Sequence, residues 1–152
     1  MGICPLFAAL SYTWSHEKGT NMIICEGKCL SVTMSLWRLL YRFATLPSVQ
    51  IPLLWIDAIC IDQNNIEERS HQVGQMRDIY SKAERVLAWL GEADDESELT
   101  FTMLRNIDQG THNRLIIDWT KEYGARHWAA LSRLLDRPYW QRLWIIQEFI
   151  LA

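Results

Sequence analysis

The 152 residues are 49% hydrophobic and 22% charged, enough for one packed domain with its own core, which excludes a disordered chain. A net charge of -3 with no basic cluster excludes the electrostatic footprint of a nucleic-acid binder. No apolar run approaches the roughly 18–20 residues of a membrane span, and residues 1–10 carry no basic segment ahead of their apolar stretch, so neither a spanning helix nor a secretory signal is expected.

Phe7-Ala-Ala-Leu-Ser-Tyr-Thr-Trp14 reads as a first strand, and the polar residues 15–20 as a loop. Residues 22–25 and 29–33 flank Glu26-Gly27-Lys28, a hairpin signal with glycine in the turn. Leu36, Leu39, Leu40 and Phe43 recur at helical spacing and predict a helix over 35–44, with Pro47 beyond its end. Residues 53–61 are almost wholly apolar and predict a strand covered on both faces, as in a parallel sheet. Asn64 or Asn65 caps the next helix, with Glu67 or Glu68 as capping-box partner. Val73, Met76, Tyr80 and Ala83 line one face of that helix, and Glu67, Glu68, Arg69, Gln75 and Lys82 lie largely off it.

Residues 85–90 form another strand, stopped by Gly91. The acidic run 94–98 suits a solvated helix entrance, where the macrodipole favours negative charge; Leu99, Met103, Leu104 and Ile107 carry that helix to Gly110. Residues 111–124 are ambiguous. Helix returns over 126–135, and Asp136-Arg-Pro138 restarts it with proline in the first turn. The chain stops at Ala152 without glycine or a polar tail, which leaves room for the domain to continue past it. Alternating strands and helices predict a mostly parallel sheet with helices on both faces, and ligand sites then form beyond the carboxyl ends of the strands.

Cys4, Cys25, Cys29 and Cys60 read as buried free thiols of a reducing cytoplasm, since nothing else points to secretion. Their spacing fits no standard zinc site, so no metal is expected. The eight tryptophans are spread along the chain, and each reads first as a core aromatic.

Three blocks resemble the heterokaryon incompatibility (HET) family. They are Ala9-Leu-Ser-Tyr-Thr-Trp14; Leu54-Trp-Ile-Asp-Ala-Ile-Cys-Ile-Asp-Gln63, running on through Glu68-Arg69, Gln72-Val73 and Met76 to Trp89-Leu-Gly91; and Arg137-Pro-Tyr-Trp-Gln-Arg-Leu-Trp-Ile-Ile-Gln-Glu148. Ser15 stands where the family usually has glycine, Asp62 where it has asparagine, and Ser35 near a further asparagine position. The resemblance implies one HET domain over residues 1–152 and a role as a fungal cell-death trigger in non-self recognition. HET domains in turn resemble TIR domains, with their flavodoxin-like parallel sheet. Trp144-Ile-Ile-Gln-Glu148 has the Trp-to-Glu spacing of a TIR helix whose glutamate is catalytic in NAD-cleaving members. The resemblance therefore implies a TIR-like sheet flanked by helices with a small hairpin insertion, NAD as a candidate substrate, and Glu148 as the candidate catalytic carboxylate.

On its own chemistry, Glu148 stands among apolar neighbours, and a continuous helix would stack Trp140, Trp144 and Glu148 at i, i+4 and i+8. An apolar setting raises a carboxyl pKa, and a carboxylate stabilises an oxocarbenium-like sugar. The alternative is a glutamate hydrogen-bonded to a loop or to Arg142. Asp57, inside an apolar strand, needs a partner: a ligand hydroxyl, or backbone N–H groups. Tyr12, Trp14 and Trp144 are candidate substrate-binding aromatics, stacking on nicotinamide or adenine, or else core. Arg69 and Gln72 are expected to hold Asp62 or Gln63 of the preceding loop, and His16 and His71 to be ordinary surface or capping residues. No Gly-x-Gly-x-x-Gly or P-loop occurs, so no tightly bound cofactor is expected. A cytoplasmic enzyme cleaving NAD and a non-catalytic module that self-associates or meets another signalling protein both remain open at this point.

Overall fold

The computed structural model describes residues 5–15, 21–45, 53–112 and 119–150. The loop residues 16–20, His16, Cys4 and Pro47 lie outside this range. The chain forms two compact units, one of residues 1–91 with 142–152 and one of residues 92–141.

The first unit is built on a parallel sheet of three strands, β1 (Ala8–Tyr12), β4 (Leu54–Trp55) and β5 (Arg85–Trp89), in the order β4-β1-β5. Ala8 pairs with Leu54 on one side and Arg85 on the other. The central strand is buried along its whole length, which is why its sequence does not alternate polar and apolar. Its two faces meet different helices. Leu10 and Tyr12 pack with Leu36 and Leu39 of α1 (Met34–Thr45), whereas Ala9 packs with Met76 and Tyr80 of α3 (Ile66–Lys82). The chain moves outward from β1 to β4, then reverses across β1 to β5. A right-handed crossover in each direction requires the two helices on opposite faces.

Local chemistry fixes these elements. Leu36 donates its N–H to the Thr33 hydroxyl at the start of α1. Of the two asparagines considered, Asn65 caps α3, accepting from the N–H groups of Glu67 and Glu68. Tyr80 donates its hydroxyl to the Leu10 carbonyl (3.0 Å), tying α3 to the central strand where short β4 offers Leu10 no partner.

The predicted hairpin is present as β2 (Asn21–Cys25) and β3 (Lys28–Val32), paired antiparallel. Glu26 (φ 51°) and Gly27 (φ 75°) are both left-handed, the conformation of a two-residue type I′ turn.

Three expectations need correction. The strand predicted over 53–61 is only Leu54–Trp55; a one-turn helix, α2 (Asp57–Cys60), follows, because Asp57 Oδ1 accepts the Ala58 N–H (2.7 Å) and turns the chain. Trp140, Trp144 and Glu148 do not share a helix. A 3-10 turn (Pro138–Gln141) ends before α7 (Ile145–Ile150), and the Trp140 indole is spent on the Leu134 carbonyl (2.9 Å). Cys25, Cys29 and Cys60 are free but exposed, since the hairpin is peripheral and Cys60 ends α2 rather than lying in a covered strand.

The second unit pairs α4 (Ser97–His112) with α6 (Ala125–Leu135); between them lies the single turn α5 (Trp119–Glu122), and residues 113–118 of the ambiguous stretch are outside the described range. The acidic run does open α4. Asp94 and Ser97 exchange hydrogen bonds, and Arg137 reaches Asp94 (2.7 Å). The Ser97 hydroxyl, then Arg137, hold the Asp94 carboxyl below its ordinary pKa.

Candidate functional site

The first unit has a crevice of about 470 Å³ beyond the carboxyl ends of β1 and β4. Parallel strands with a reversal of direction leave such a gap, because the connections diverge to opposite faces there. Thr13 and Trp14 enter it from the end of β1, Asp57 from α2, Arg69 from α3, and Arg142, Trp144 and Glu148 from the last segment.

At its floor is a buried ion pair. Arg142 donates Nη1–H to Glu148 Oε2 and Nη2–H to Oε1, both at 2.7 Å. The Ser11 hydroxyl donates to Oε2 and accepts from Arg142 Nη1 (3.1 Å). Ser11 lies on the Ala9 face of β1, so the central strand itself positions the carboxylate. Glu148 is 1% exposed, and it is not surrounded by apolar groups as its sequence neighbours suggest: its two oxygens face a guanidinium and a hydroxyl. Trp144 and Glu148 remain one helical turn apart, with the Glu148 N–H on the Trp144 carbonyl (3.1 Å).

Asp57 is held differently. Its Oδ2 accepts the Trp14 indole N–H (3.1 Å) and its Oδ1 the Ala58 N–H, both neutral donors. Burial pushes its carboxyl pKa up, opposed by those two hydrogen bonds and assisted by the charge of Glu148. Gln63 donates to the Asp57 carbonyl (2.9 Å), fixing α2 against the loop that follows.

Trp14 and Trp144 are each 43% exposed at the crevice. Tyr12 is instead buried beside Leu10 and Leu36 and is not among the lining residues. Its hydroxyl lacks a hydrogen-bond partner of normal geometry; burial, then Asp57, pushes its pKa far up.

The loop before α3 is not held by Arg69 and Gln72. Glu68 Oε1 accepts the Asp62 N–H (3.1 Å), Gln63 holds Asp57, and Gln72 faces a second hollow of about 510 Å³ beside β4. Sequence reasoning missed Ser11, because a serine within a strand carries no signal of its partner. It also missed Arg69 as a crevice residue, although the signal was present: Arg69 precedes Val73 by four and Met76 by seven, on the same helix face.

These features define an α/β protein with a ligand-sized crevice at the carboxyl edge of a parallel sheet. The family described as heterokaryon incompatibility protein (HET) matches residues 7–148, and the chain belongs to that family. It is 32% identical over 192 aligned residues to Heterokaryon incompatibility protein 6, OR allele, of Neurospora crassa, covering 97% of this chain and 28% of that relative's length. No solved structure matches it. Among the described residues no cluster of His, Cys, Asp and Glu could hold a metal ion, and no helix is long and apolar enough to cross a membrane.

Proposed function

We propose that this chain is the trigger domain of a fungal incompatibility protein, and that it provokes cell death by cleaving the nicotinamide–ribose bond of NAD in the crevice. The observation that carries this reading is the meeting of two half-exposed indoles, Trp14 and Trp144, with the Asp57 carboxylate at the carboxyl edge of the sheet. Indole faces stack on nicotinamide or adenine. In the reaction the C1′–N bond breaks with its electron pair going to the pyridinium nitrogen, leaving neutral nicotinamide and an oxocarbenium-like ribose. Water then bonds to C1′ and gives up a proton.

The two carboxylates divide the work. Asp57 carries only neutral donors, so its charge is available to the developing cation, and its raised proton affinity suits it to take the proton from water. Arg142 offsets most of the Glu148 charge. Glu148 is therefore needed for the same reaction as the residue that positions Arg142 and Ser11 under the crevice. Expression in fungal cells tests the reading: wild type depletes NAD and arrests growth, and Asp57→Asn does neither. Arrest by Asp57→Asn at normal NAD levels contradicts it.

A second reading, a non-catalytic module that self-associates, is favoured by the outward face of the hairpin, where Met22 and Ile24 are 58% and 78% exposed. Sedimentation of wild type against Met22→Ser with Ile24→Ser separates the two. Assembly lost together with toxicity, with no NAD consumed by either protein, supports this second reading.

A further inference from the structure

Arg69 is in an unusual position for a surface arginine. It belongs to the helical face that continues through Val73, Met76 and Tyr80, at steps of four, three and four residues, and this face turns toward the sheet. In the next turns that face packs against the core. At Arg69 it opens onto the crevice beside Trp14 and Asp57. Arg69 itself is exposed, so in the free protein water solvates its guanidinium and leaves it open to a ligand.

Among the described residues nothing answers it. Its backbone N–H completes the helix by bonding to Asn65, but its guanidinium makes no hydrogen bond or ion pair. The nearby acids are engaged elsewhere. Glu68 accepts from Asp62 and Glu148 is gripped by Arg142, while Asp57 keeps its charge but gives its two oxygens to Trp14 and Ala58 and makes no ion pair with Arg69. The two arginines of the crevice thus differ: Arg142 is neutralised within the fold, and Arg69 keeps its five donors for the crevice that Trp14 and Trp144 also line. An aromatic platform next to an unanswered guanidinium suits a ligand that joins a planar base to an oxyanion, since Arg takes a phosphoryl group through two parallel N–H bonds.

We infer that Arg69 is the anion-recognition residue of this crevice, and that the ligand is a nucleotide bound through its phosphoryl group as well as its base. This rests on the crevice being the ligand site of the proposed function, and it adds that a nucleoside is a poor ligand where the corresponding nucleotide is a good one.

The test compares ADP and adenosine, which share base and ribose, by titration calorimetry on the whole chain. Wild type is expected to bind ADP about 10- to 100-fold more tightly than adenosine, the range of one charge-assisted contact. Arg69→Gln should bind both alike, and Arg69→Lys should recover part of the difference, because ammonium keeps the charge but not the fork. The Arg69 side chain holds no other group, so both variants should unfold at the wild-type temperature. A wild-type protein that does not discriminate ADP from adenosine, or an Arg69→Gln protein that still does, overturns the inference. Nicotinamide release from NAD is read in parallel. Release that persists without phosphoryl discrimination removes this inference alone, and discrimination without release removes the cleavage reading alone.

Discussion

Arg142 grips both carboxylate oxygens of Glu148 across six residues of chain, and Ser11 of the central strand closes the cluster from below. Breaking a buried pair leaves one charge unanswered, and Arg142 is itself mostly buried. Glu148→Gln is therefore expected to lower the unfolding free energy by about 3–5 kcal/mol, despite its near-identical shape. Ser11→Ala is expected to cost about 1.5–3 kcal/mol, the worth of a hydrogen bond to a charged group. Urea denaturation checks both. A Glu148→Gln protein as stable as wild type would mean that the pair contributes nothing to the fold.

Asp57 predicts a pH dependence. Burial raises its folded pKa above the unfolded value, so protonated Asp57 is favoured by the folded chain. Its stabilising contribution is full below the unfolded pKa of about 3.9 and is lost as pH rises through the folded value. Wild type should lose stability relative to Asp57→Asn over that window and run parallel to it above. Denaturant midpoints measured from pH 4 to 8 give the difference directly, and a difference that grows in wild type's favour with pH contradicts the account.

The hairpin turn predicts a pair of opposite effects. Gly27 is left-handed with open space around its Cα, so Gly27→Ala meets no clash and costs only backbone strain, about 1–2 kcal/mol. Glu26 holds the same region without glycine's freedom, and Glu26→Asn should stabilise by a few tenths of a kcal/mol, since asparagine tolerates it better. Thermal melts of the two variants should shift in opposite directions; a shift of the same sign for both contradicts the type I′ assignment.

Much of this architecture was legible in the sequence, because covered strands and amphipathic helices write their burial into residue type. The three parallel strands follow from that, and the hairpin about Gly27 and the Asn65 cap of α3 from turn and capping chemistry, although Glu68 bonds the Asp62 N–H instead of closing a capping box. The run 53–61 misled because two apolar turns and a strand look alike without periodicity to separate them, and only the Asp57 side chain, bonding its neighbour's N–H, ends the strand at Trp55. For the site, Trp14, Asp57, Trp144 and Glu148 do meet around one crevice, and Tyr12 lies in the core beside it. The pairing of Glu148 with Arg142, six residues away, was one of the two readings the sequence offered, and the structure has it; what spacing cannot convey is Ser11, which joins that pair from 131 residues away.

The proposed cleavage of NAD in the crevice, with Asp57 at the reacting bond, is tested most directly by nicotinamide release. Purified chain is incubated with NAD, and free nicotinamide is followed by chromatography for wild type, Asp57→Asn and Trp144→Ala. Wild type is expected to release nicotinamide. Asp57→Asn should lower kcat about 10²- to 10³-fold while still binding ADP, and Trp144→Ala should act mainly on KM. Folded wild-type protein that releases no nicotinamide, or Asp57→Asn that releases it at the wild-type rate, would contradict the account.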